Sequence, residues 1–240
     1  MGGGNAFENK VVDLLNQKKY SEIEDPFWRR FLKEIFPEVR EEDEFKVEKL
    51  GGIYKADVLI YRGESQEPVG VSLKSGGGNS VHQEPLGEFI CFCRNELDAS
   101  NDICHYLEWF IMERKNANAL YLEHPERFDA LNEFFLNNRI PLLRRFLITG
   151  TANKGFADVI VHTNGVNLVF AKTEDIIREC ENNSSSLIRK RRNKLYVGPL
   201  TFQAWNRNVS GDPTRPSEKK RGHIQLKWGN IHSDLEMLGG

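Results

Sequence analysis

Asp57 and Lys74 are the residues whose types and spacing best suit catalysis. Asp57 stands inside an otherwise apolar stretch, and Lys74 ends the next one. Because side chains alternate across a strand, Ser72 and Lys74 share one face while Leu73 points to the other, into the core. If the two stretches pair as a hairpin, Asp57 lies near both Ser72 and Lys74.

A carboxylate held close to a lysine is suited to metal-assisted hydrolysis of a phosphodiester. The acid binds a hard divalent cation, while the ammonium orients or deprotonates the attacking water and offsets phosphate charge. Gly51 and Gly52 before the first stretch, and residues 76–78 after the second, leave room for a ligand. The alternative is a structural salt bridge at the strand ends.

Glu8 is the first candidate for a second metal-binding carboxylate. It follows Asn5 at the start of a predicted helix, so it also fits a capping box, in which it would only complete the helix end. Glu84, just after the glycine-rich loop, is the second candidate.

Asp158 and Lys172 repeat the motif on a later pair of predicted strands. We rank this pair lower because Phe170 stands two residues before the lysine, where Ser72 precedes Lys74. We expect Asp158 and Lys172 to help build the sheet or to face DNA.

Three cysteines and a histidine raise the alternative of a zinc site: Cys91, Cys93, Cys104 and His105. Cys91 and Cys93 fall in a predicted helix, where residues two apart do not face each other. We therefore expect ordinary reduced thiols.

Apolar periodicity and turn residues divide the chain into alternating elements. Helices are predicted at about 5–18, from 26, at 84–96, 100–115, 125–138 and 175–181; strands at 55–61, 68–74, 156–161, 166–171, 194–197, 200–205 and 223–228; residues 140–147 stay open. This order predicts an α/β fold with a central mixed β-sheet flanked by helices. Residues 206–222 read as an exposed loop or arm.

The chain has 240 residues, of which 39% are hydrophobic, enough for a substantial core. We expect one domain over residues 1–240. No apolar stretch approaches the length of a membrane span, and the N-terminus lacks a signal-peptide pattern, so a cytoplasmic location is expected.

Net charge is −2, so the chain as a whole is not basic, but its C-terminal third is. Basic clusters at about 185–230 predict a DNA-recognition region, although charge runs are also common on solvated surfaces. Arg pairs with guanine and Gln with adenine, while many such side chains contact only phosphate. The predicted DNA-binding residues are Ser80, His82, Gln83, Arg189, Arg191, Arg207, Lys219, Lys220, Arg221, His223, Gln225 and Lys227.

A helix bearing Glu8, then Asp57 in its apolar stretch, then the triplet Ser72-Leu73-Lys74, resembles the PD-(D/E)XK nuclease superfamily. The likeness is closest to type II restriction endonucleases, particularly small enzymes that cut CCGG-like tetranucleotides. It covers about residues 5–90, with a looser likeness near residues 219–227. Ser72 departs from the usual acid, and Lys55-Ala56 replaces the frequent proline.

The resemblance implies a Mg²⁺-dependent endonuclease that cuts double-stranded DNA, as a monomer or homodimer. Asp57, Ser72, Lys74 and Glu8 are then the catalytic set, with Asp57, Leu73 and Glu8 at the metal. Two alternatives stay open: a DNA-binding module on a nuclease fold that has lost catalysis, and a repair or recombination nuclease that recognises DNA structure.

Overall fold

The computed structural model describes residues 3–52, 54–63, 67–77, 79–205 and 221–239. Contacts divide the chain into two compact units, each built from several segments. The first unit comprises Met1–Asn79, Leu147–Arg178 and Asn230–Gly240, and the second comprises Ser80–Phe146 and Glu179–Gly229. A single nuclease domain stays a prediction. Among the described helices, none is long and apolar enough to cross a membrane.

The described helices and strands follow one another along the chain in a mixed order. They are α1 (Gly3–Leu15), β1 (Lys18–Lys19), α2 (Pro26–Ile35), β2 (Glu44–Lys49), β3 (Val58–Arg62), β4 (Val69–Ser75), β5 (Ser80–Pro85), α3 (Leu86–Leu97), α4 (Asn101–Met112), α5 (Ala117–Glu123), α6 (Pro125–Asn137), α7 (Arg139–Leu143), β6 (Val159–Thr163), β7 (Leu168–Lys172), α8 (Thr173–Glu181), β8 (Leu195–Val197), β9 (Leu200–Ala204), β10 (His223–Lys227) and α9 (Ile231–Gly239). A 3₁₀ turn at Tyr20–Glu22 and a π-helical turn at Arg144–Thr149 complete the set.

The first unit is built on a six-stranded mixed sheet in the order β1-β2-β3-β4-β6-β7. The pair β4 and β6 is parallel, and the other neighbours are antiparallel. Helix α1 packs against β2 and β4. Val71 and Leu73 of β4 lie in the buried core together with Phe31 of α2. The central strand β4 is thus covered and paired on both edges. The predicted mixed sheet flanked by helices is confirmed.

The second unit contains a four-stranded antiparallel sheet in the order β5-β10-β9-β8. Its inward face is apolar because alternate residues of β9, and Ile224 and Leu226 of β10, are buried. Gln225, between those two, is buried as well. The Phe202 ring lies between aromatic rings of the helices, at centroid distances of 5.4 Å from Phe89 and 4.8 Å from Phe135. The opposite face is left to polar side chains.

Two local predictions are corrected by the structure. Helix α1 begins at Gly3, before Asn5, so Asn5 is not its N-cap and the predicted capping box is wrong. The helix predicted from residue 84 begins at Leu86, because the preceding residues pair with β10 as strand β5. The second helix is confirmed, since Asp25 caps it by accepting from Phe27 N at 2.8 Å.

Gly70 is a point where the first unit tolerates no side chain. A Cβ built on Gly70 would collide with the carbonyl oxygen of Phe156. We expect Gly70→Ala to lower the free energy of unfolding by about 1–3 kcal/mol, because the backbone must move to relieve the clash. Urea denaturation measures this. Gly87→Ala in α3, where a Cβ meets open space, is the matched control and should be neutral or stabilising by about 0.5–1 kcal/mol. Equal stability of the two variants would contradict the packing argument.

Candidate active site and nucleic-acid-binding face

Asp57 lies immediately before β3 and faces the last residues of β4. The antiparallel pairing ends with Val58 opposite Val71, and Asp57 N donates to Val71 O at 2.9 Å. Beyond that bond the backbones no longer pair. The Asp57 carboxylate therefore turns toward the Ser72-Leu73-Lys74 triplet, and the predicted hairpin is confirmed.

One oxygen of Asp57 gathers three donors from the triplet. Oδ2 accepts from Leu73 N at 2.6 Å, from Lys74 Nζ at 3.0 Å and from Ser72 Oγ at 3.2 Å. Lys74 Nζ also lies 3.3 Å from Leu73 O. The structure thus brings together all three residues that the sequence placed around Asp57.

The site is reachable from solvent but its walls are packed. The Asp57 and Lys74 side chains are 27% and 19% exposed, whereas Ser72 is 2% exposed. Among the described residues, Asp57 Oδ1 accepts no hydrogen bond. Asp57 Oδ1 and Leu73 O are therefore hard oxygen donors, the type that Mg²⁺ prefers.

Glu8 reaches the same end of the first-unit sheet from α1. Its Oε2 lies 3.0 Å from Lys49 Nζ, and Lys49 pairs in register with Val58, the residue after Asp57. Asn9 Oδ1 accepts from the same ammonium at 2.9 Å. The next backbone bond, Leu50 N to Asp57 O at 3.0 Å, ties β2 directly to Asp57. Glu8 is thus one strand away from Asp57 and is held by a lysine that sequence reasoning missed.

No group of three His, Cys, Asp or Glu side chains able to hold a metal occurs in the part of the chain that the structure describes. This includes the four residues considered for zinc. Burial raises the pKa of Cys93, so a thiolate ligand there is disfavoured. The predicted magnesium set differs in kind, since it needs only two carboxylates, a backbone carbonyl and water.

Glu84, the second candidate carboxylate, is an internal ion-pair partner. Arg145 on the π-helical turn donates to both of its oxygens, at 3.1 Å from Nε and 2.6 Å from Nη2. His82 Nε2 lies 3.1 Å from Oε1. Burial raises the pKa of Glu84, but the hydrogen bonds from His82 and Arg145 outweigh it and hold the pKa below its usual range. A carboxylate so occupied is a poor metal ligand.

Asp158 and Lys172 do not form a second copy of the site. Asp158 Oδ2 accepts from Gly70 N at 2.8 Å, whereas Lys172 Nζ pairs with Glu34 at 2.7 Å. The expectation that this pair helps build the sheet agrees with those partners.

Several predicted DNA-binding residues share the outward face of the second-unit sheet. The register places Gln83 opposite Gln225, and Gln225 opposite Gln203. Gln203 Nε2 donates to Gln225 Oε1 at 2.7 Å, and Gln225 Nε2 donates to Ser80 Oγ at 3.2 Å. Two residues after Gln225 on β10, Lys227 pairs in register with Ser80 of β5 and with Thr201 of β9. Gln203 and Thr201 were missed, although their alternation with Leu200, Phe202 and Ala204 was the available signal.

The remaining predicted contacts fall in different places. His82 points inward beneath the second-unit sheet, with its ring centroid 5.1 Å from that of Phe146. His223 is half-buried on β10, and Arg221 Nη2 donates to Met112 O at 3.4 Å. Arg189 and Arg191 line a cavity of about 500 Å³ beside α6. Arg207, Lys219 and Lys220 lie outside the described residues.

No protein-family model matches the chain, and no curated protein sequence matches it. A solved structure of restriction endonuclease MspI in complex with its cognate DNA is similar. The TM-score is 0.61 at 14% sequence identity, over 93% of this chain and 88% of the MspI chain. At this identity the likeness shows the fold alone: the chain has a restriction-endonuclease-like fold.

Glu84→Gln should destabilise the second unit strongly. The change leaves the Arg145 guanidinium, on a side chain that is only 14% exposed, without its counter-charge, at a cost of about 3–5 kcal/mol in the free energy of unfolding. Because the pKa of Glu84 is lowered in the fold, its contribution is present above the ordinary glutamate pKa and is lost as pH falls below it. Urea denaturation at about pH 7 and about pH 3 measures both effects. Between these two pH values the free energy of unfolding should fall more for the wild type than for Glu84→Gln.

Glu41→Gln is the control for this experiment, since Glu41 forms an exposed pair with Arg29 at 2.9 Å. It should cost no more than about 1 kcal/mol. If Glu84→Gln behaved like Glu41→Gln, the ion pair of Glu84 would contribute no more to stability than an exposed one.

Proposed function

We propose that this chain is a Mg²⁺-dependent endonuclease that cuts double-stranded DNA at specific sequences, in the manner of a type II restriction enzyme. The observation that carries the proposal is the 3.0 Å contact of Lys74 Nζ with Asp57 Oδ2, with Leu73 O beside it. It occurs on a fold shared with a restriction endonuclease solved with its cognate DNA.

Each residue of the site suits one task in phosphodiester hydrolysis. Asp57 and Leu73 O supply oxygens for the cation, and Glu8 supplies the second carboxylate when Lys49 shares or releases it. The bound cation would offset phosphate charge and make an attacking water more acidic. Lys74 places a positive charge where charge develops on the phosphate and orients the water. Ser72 adds a neutral hydroxyl in place of an acid.

Sequence recognition is assigned to the outward face of the second-unit sheet. Gln83, Gln203 and Gln225 carry amides that both donate and accept, which matches the edge of adenine in the major groove. Lys227 adds a donor suited to guanine or to phosphate. Arg189 and Arg191 add positive charge that would bind phosphates and release counterions.

A catalytically inactive DNA-binding module is the second candidate. It is favoured by Ser72, whose hydroxyl is a weak, neutral ligand. Incubation of supercoiled plasmid with and without Mg²⁺ separates the two. Discrete fragments support the endonuclease and reveal its recognition sequence, whereas retarded but intact plasmid supports the module. Cutting only of branched substrates would instead indicate a structure-specific nuclease.

Asp57→Ala and Lys74→Ala should each abolish cleavage but differ in binding. Removing Asp57 takes away a metal ligand and a repulsive charge, so metal-free DNA binding survives or tightens. Removing Lys74 deletes a cation beside the phosphate, so binding weakens modestly while the chemical step fails. Affinity and single-turnover cleavage are measured for both on one duplex.

Two controls sharpen this comparison. Asp57→Asn keeps an oxygen for Leu73 N, so it separates the loss of charge from the loss of a structural acceptor. Lys172→Ala removes the lysine of the rejected pair and should cut like the wild type. Cleavage at the wild-type rate by Asp57→Ala or Lys74→Ala would remove this site from consideration.

Glu8→Gln should weaken Mg²⁺-dependent cleavage more than it weakens folding. The amide keeps the shape and still accepts from Lys49, but it removes the charge that a divalent cation prefers. The Mg²⁺ concentration for half-maximal cleavage should therefore rise, by about tenfold or more if a ligand is lost. Asp13→Asn, an exposed position on the same helix, is the control. An unchanged Mg²⁺ dependence would assign Glu8 to the Lys49 ion pair alone.

A further inference from the structure

A chain of hydrogen bonds crosses the first unit next to Lys74 and has no part in the site described so far. His162 of β6 is the register neighbour of Lys74 and is 3% exposed. Its Nε2 lies 3.2 Å from Gly76 O, and its Nδ1 lies 3.1 Å from His232 Nδ1 on α9. His232 Nε2 in turn lies 3.2 Å from Asn164 Nδ2.

The surroundings of the chain fix where its protons are. Asn164 Oδ1 accepts from Val166 N at 2.9 Å and from Asn167 N at 2.8 Å, so its amide nitrogen must face His232. His232 Nε2 is then an acceptor, and its proton lies on Nδ1. At the other end Gly76 O only accepts, so His162 carries its proton on Nε2 and accepts at Nδ1. Every bond is satisfied with both imidazoles neutral.

A proton added to either ring breaks this pattern. A proton on His162 Nδ1 would point at the N–H of His232 Nδ1, so two donors would face each other. A proton on His232 Nε2 would likewise face the donating amide nitrogen of Asn164. A charged His162 would also be a second cation beside Lys74. The intact chain therefore requires that both histidines are neutral, and burial lowers the pKa of His162 in that direction.

Strands β4 and β7 and helix α9 pack against β6. Their titratable groups are Lys74 on β4, Lys172 on β7, and His232, Asp234 and Glu236 on α9. Lys172 stands opposite Val159, at the far end of β6 from His162. Burial has the largest effect on the pKa of His162 and lowers it, and the hydrogen bond to Gly76 raises it. His232 acts next and lowers this pKa further.

Gly76, whose carbonyl oxygen accepts the hydrogen bond from His162, is the first residue of the turn that follows β4. It has a φ of +66°, a conformation that glycine adopts without strain. Its N donates to Thr163 O at 3.0 Å, and its O accepts from His162. Strand β6 thus holds both backbone groups of a residue that comes two positions after Lys74. Loss of the histidine bond leaves one of those two restraints.

We propose that His162 and His232 are positioning residues, which hold the Gly76 turn and through it Lys74, and which do so only while both imidazoles are neutral. The inference rests on the proposed function of Lys74 in DNA cleavage. Cleavage should then lose rate on the acid side as His162 takes up a proton. The rate should fall about tenfold per pH unit below that pKa, as for any single essential deprotonated group.

The test uses variants that keep the hydrogen bonds but replace one of the two rings by an amide, which does not take up a proton. In His162→Gln the amide nitrogen can donate to Gly76 O and the amide oxygen can accept from His232. In His232→Gln the amide can likewise bridge His162 and Asn164. His162→Leu removes the bonds altogether. His105→Gln, at an exposed position on α4, is the matched control.

Single-turnover cleavage is measured from about pH 5 to about pH 8. In His162→Gln the acid limb that His162 causes should be absent, whereas in His232→Gln, which keeps the His162 ring, it should remain. His162→Leu should be slow at every pH, and His105→Gln should follow the wild type. A pH profile of His162→Gln that superimposes on the wild-type profile would overturn the proposal. If His162→Gln fails to fold, the pH dependence of the Gly76 amide signal in the wild type still tests the proposal.

A second readout does not need cleavage. In protein labelled with ¹⁵N-glycine, the Gly76 amide signal should titrate with the His162 ring, and should stop doing so in His162→Gln. If the wild type cuts no DNA at any pH, the proposed function fails while this signal still decides the role of the histidines. A Gly76 signal independent of pH would overturn that role.

Discussion

The arrangement of the first unit depends on one constraint: the backbone N–H at the end of its central strand needs a hydrogen-bond acceptor where the neighbouring strand no longer pairs with it. β4 is buried and continues past the last residue of β3 that pairs with it, so Leu73 N has no backbone acceptor on that side. A buried N–H without a partner costs about 1–3 kcal/mol, and Asp57 Oδ2 supplies the acceptor at 2.6 Å. The same atom draws in Lys74 Nζ. The arrangement that completes the sheet is therefore also the one that pairs a carboxylate with an ammonium beside a backbone carbonyl.

At the other end of β4 an aspartate again accepts a backbone N–H, but no lysine among the described residues pairs with it. Asp158 precedes β6 as Asp57 precedes β3, and its Oδ2 accepts from Gly70 N at 2.8 Å. This explains why Phe156-Ala157-Asp158-Val159-Ile160 echoes the sequence around Asp57: both carboxylates complete backbone bonding of one strand. The difference lies in the neighbours, because Lys172 is drawn to Glu34 and Gly70 offers no side chain. In both places the aspartate before a strand completes backbone hydrogen bonding, and of these two described carboxylates only that of Asp57 is joined by a lysine.

The sequence predicted the parts that rest on local pattern. Asp25-Pro26 gave the start of α2, and alternation gave the hairpin around Asp57. What it missed depends on partners far along the chain. β2 was missed although Phe45 and Val47 alternate with charged residues, which is the pattern of a half-buried strand. β5 was missed because its residues become a strand only through pairing with β10. Glu84 could not be placed since Arg145, its partner, lies 61 residues away. Lys49 and His162 were missed for the same reason: neither carries a motif, and each matters through a neighbour supplied by the fold.

Polar side chains on the outward face of the second-unit sheet already hydrogen-bond to one another in the absence of a ligand. Gln203, Gln225 and Ser80 already share hydrogen bonds of 2.7 Å and 3.2 Å. If DNA lies on this face, as proposed, a matching base edge exchanges one set of bonds for another, so the net gain in affinity is small. A mismatched base leaves amide donors or acceptors buried without partners, which costs about 1–3 kcal/mol at each position. Such a face contributes discrimination more than affinity. The affinity must then come from charge, and the cations suited to that task are those of residues 189–194 and of the basic segment that follows β9.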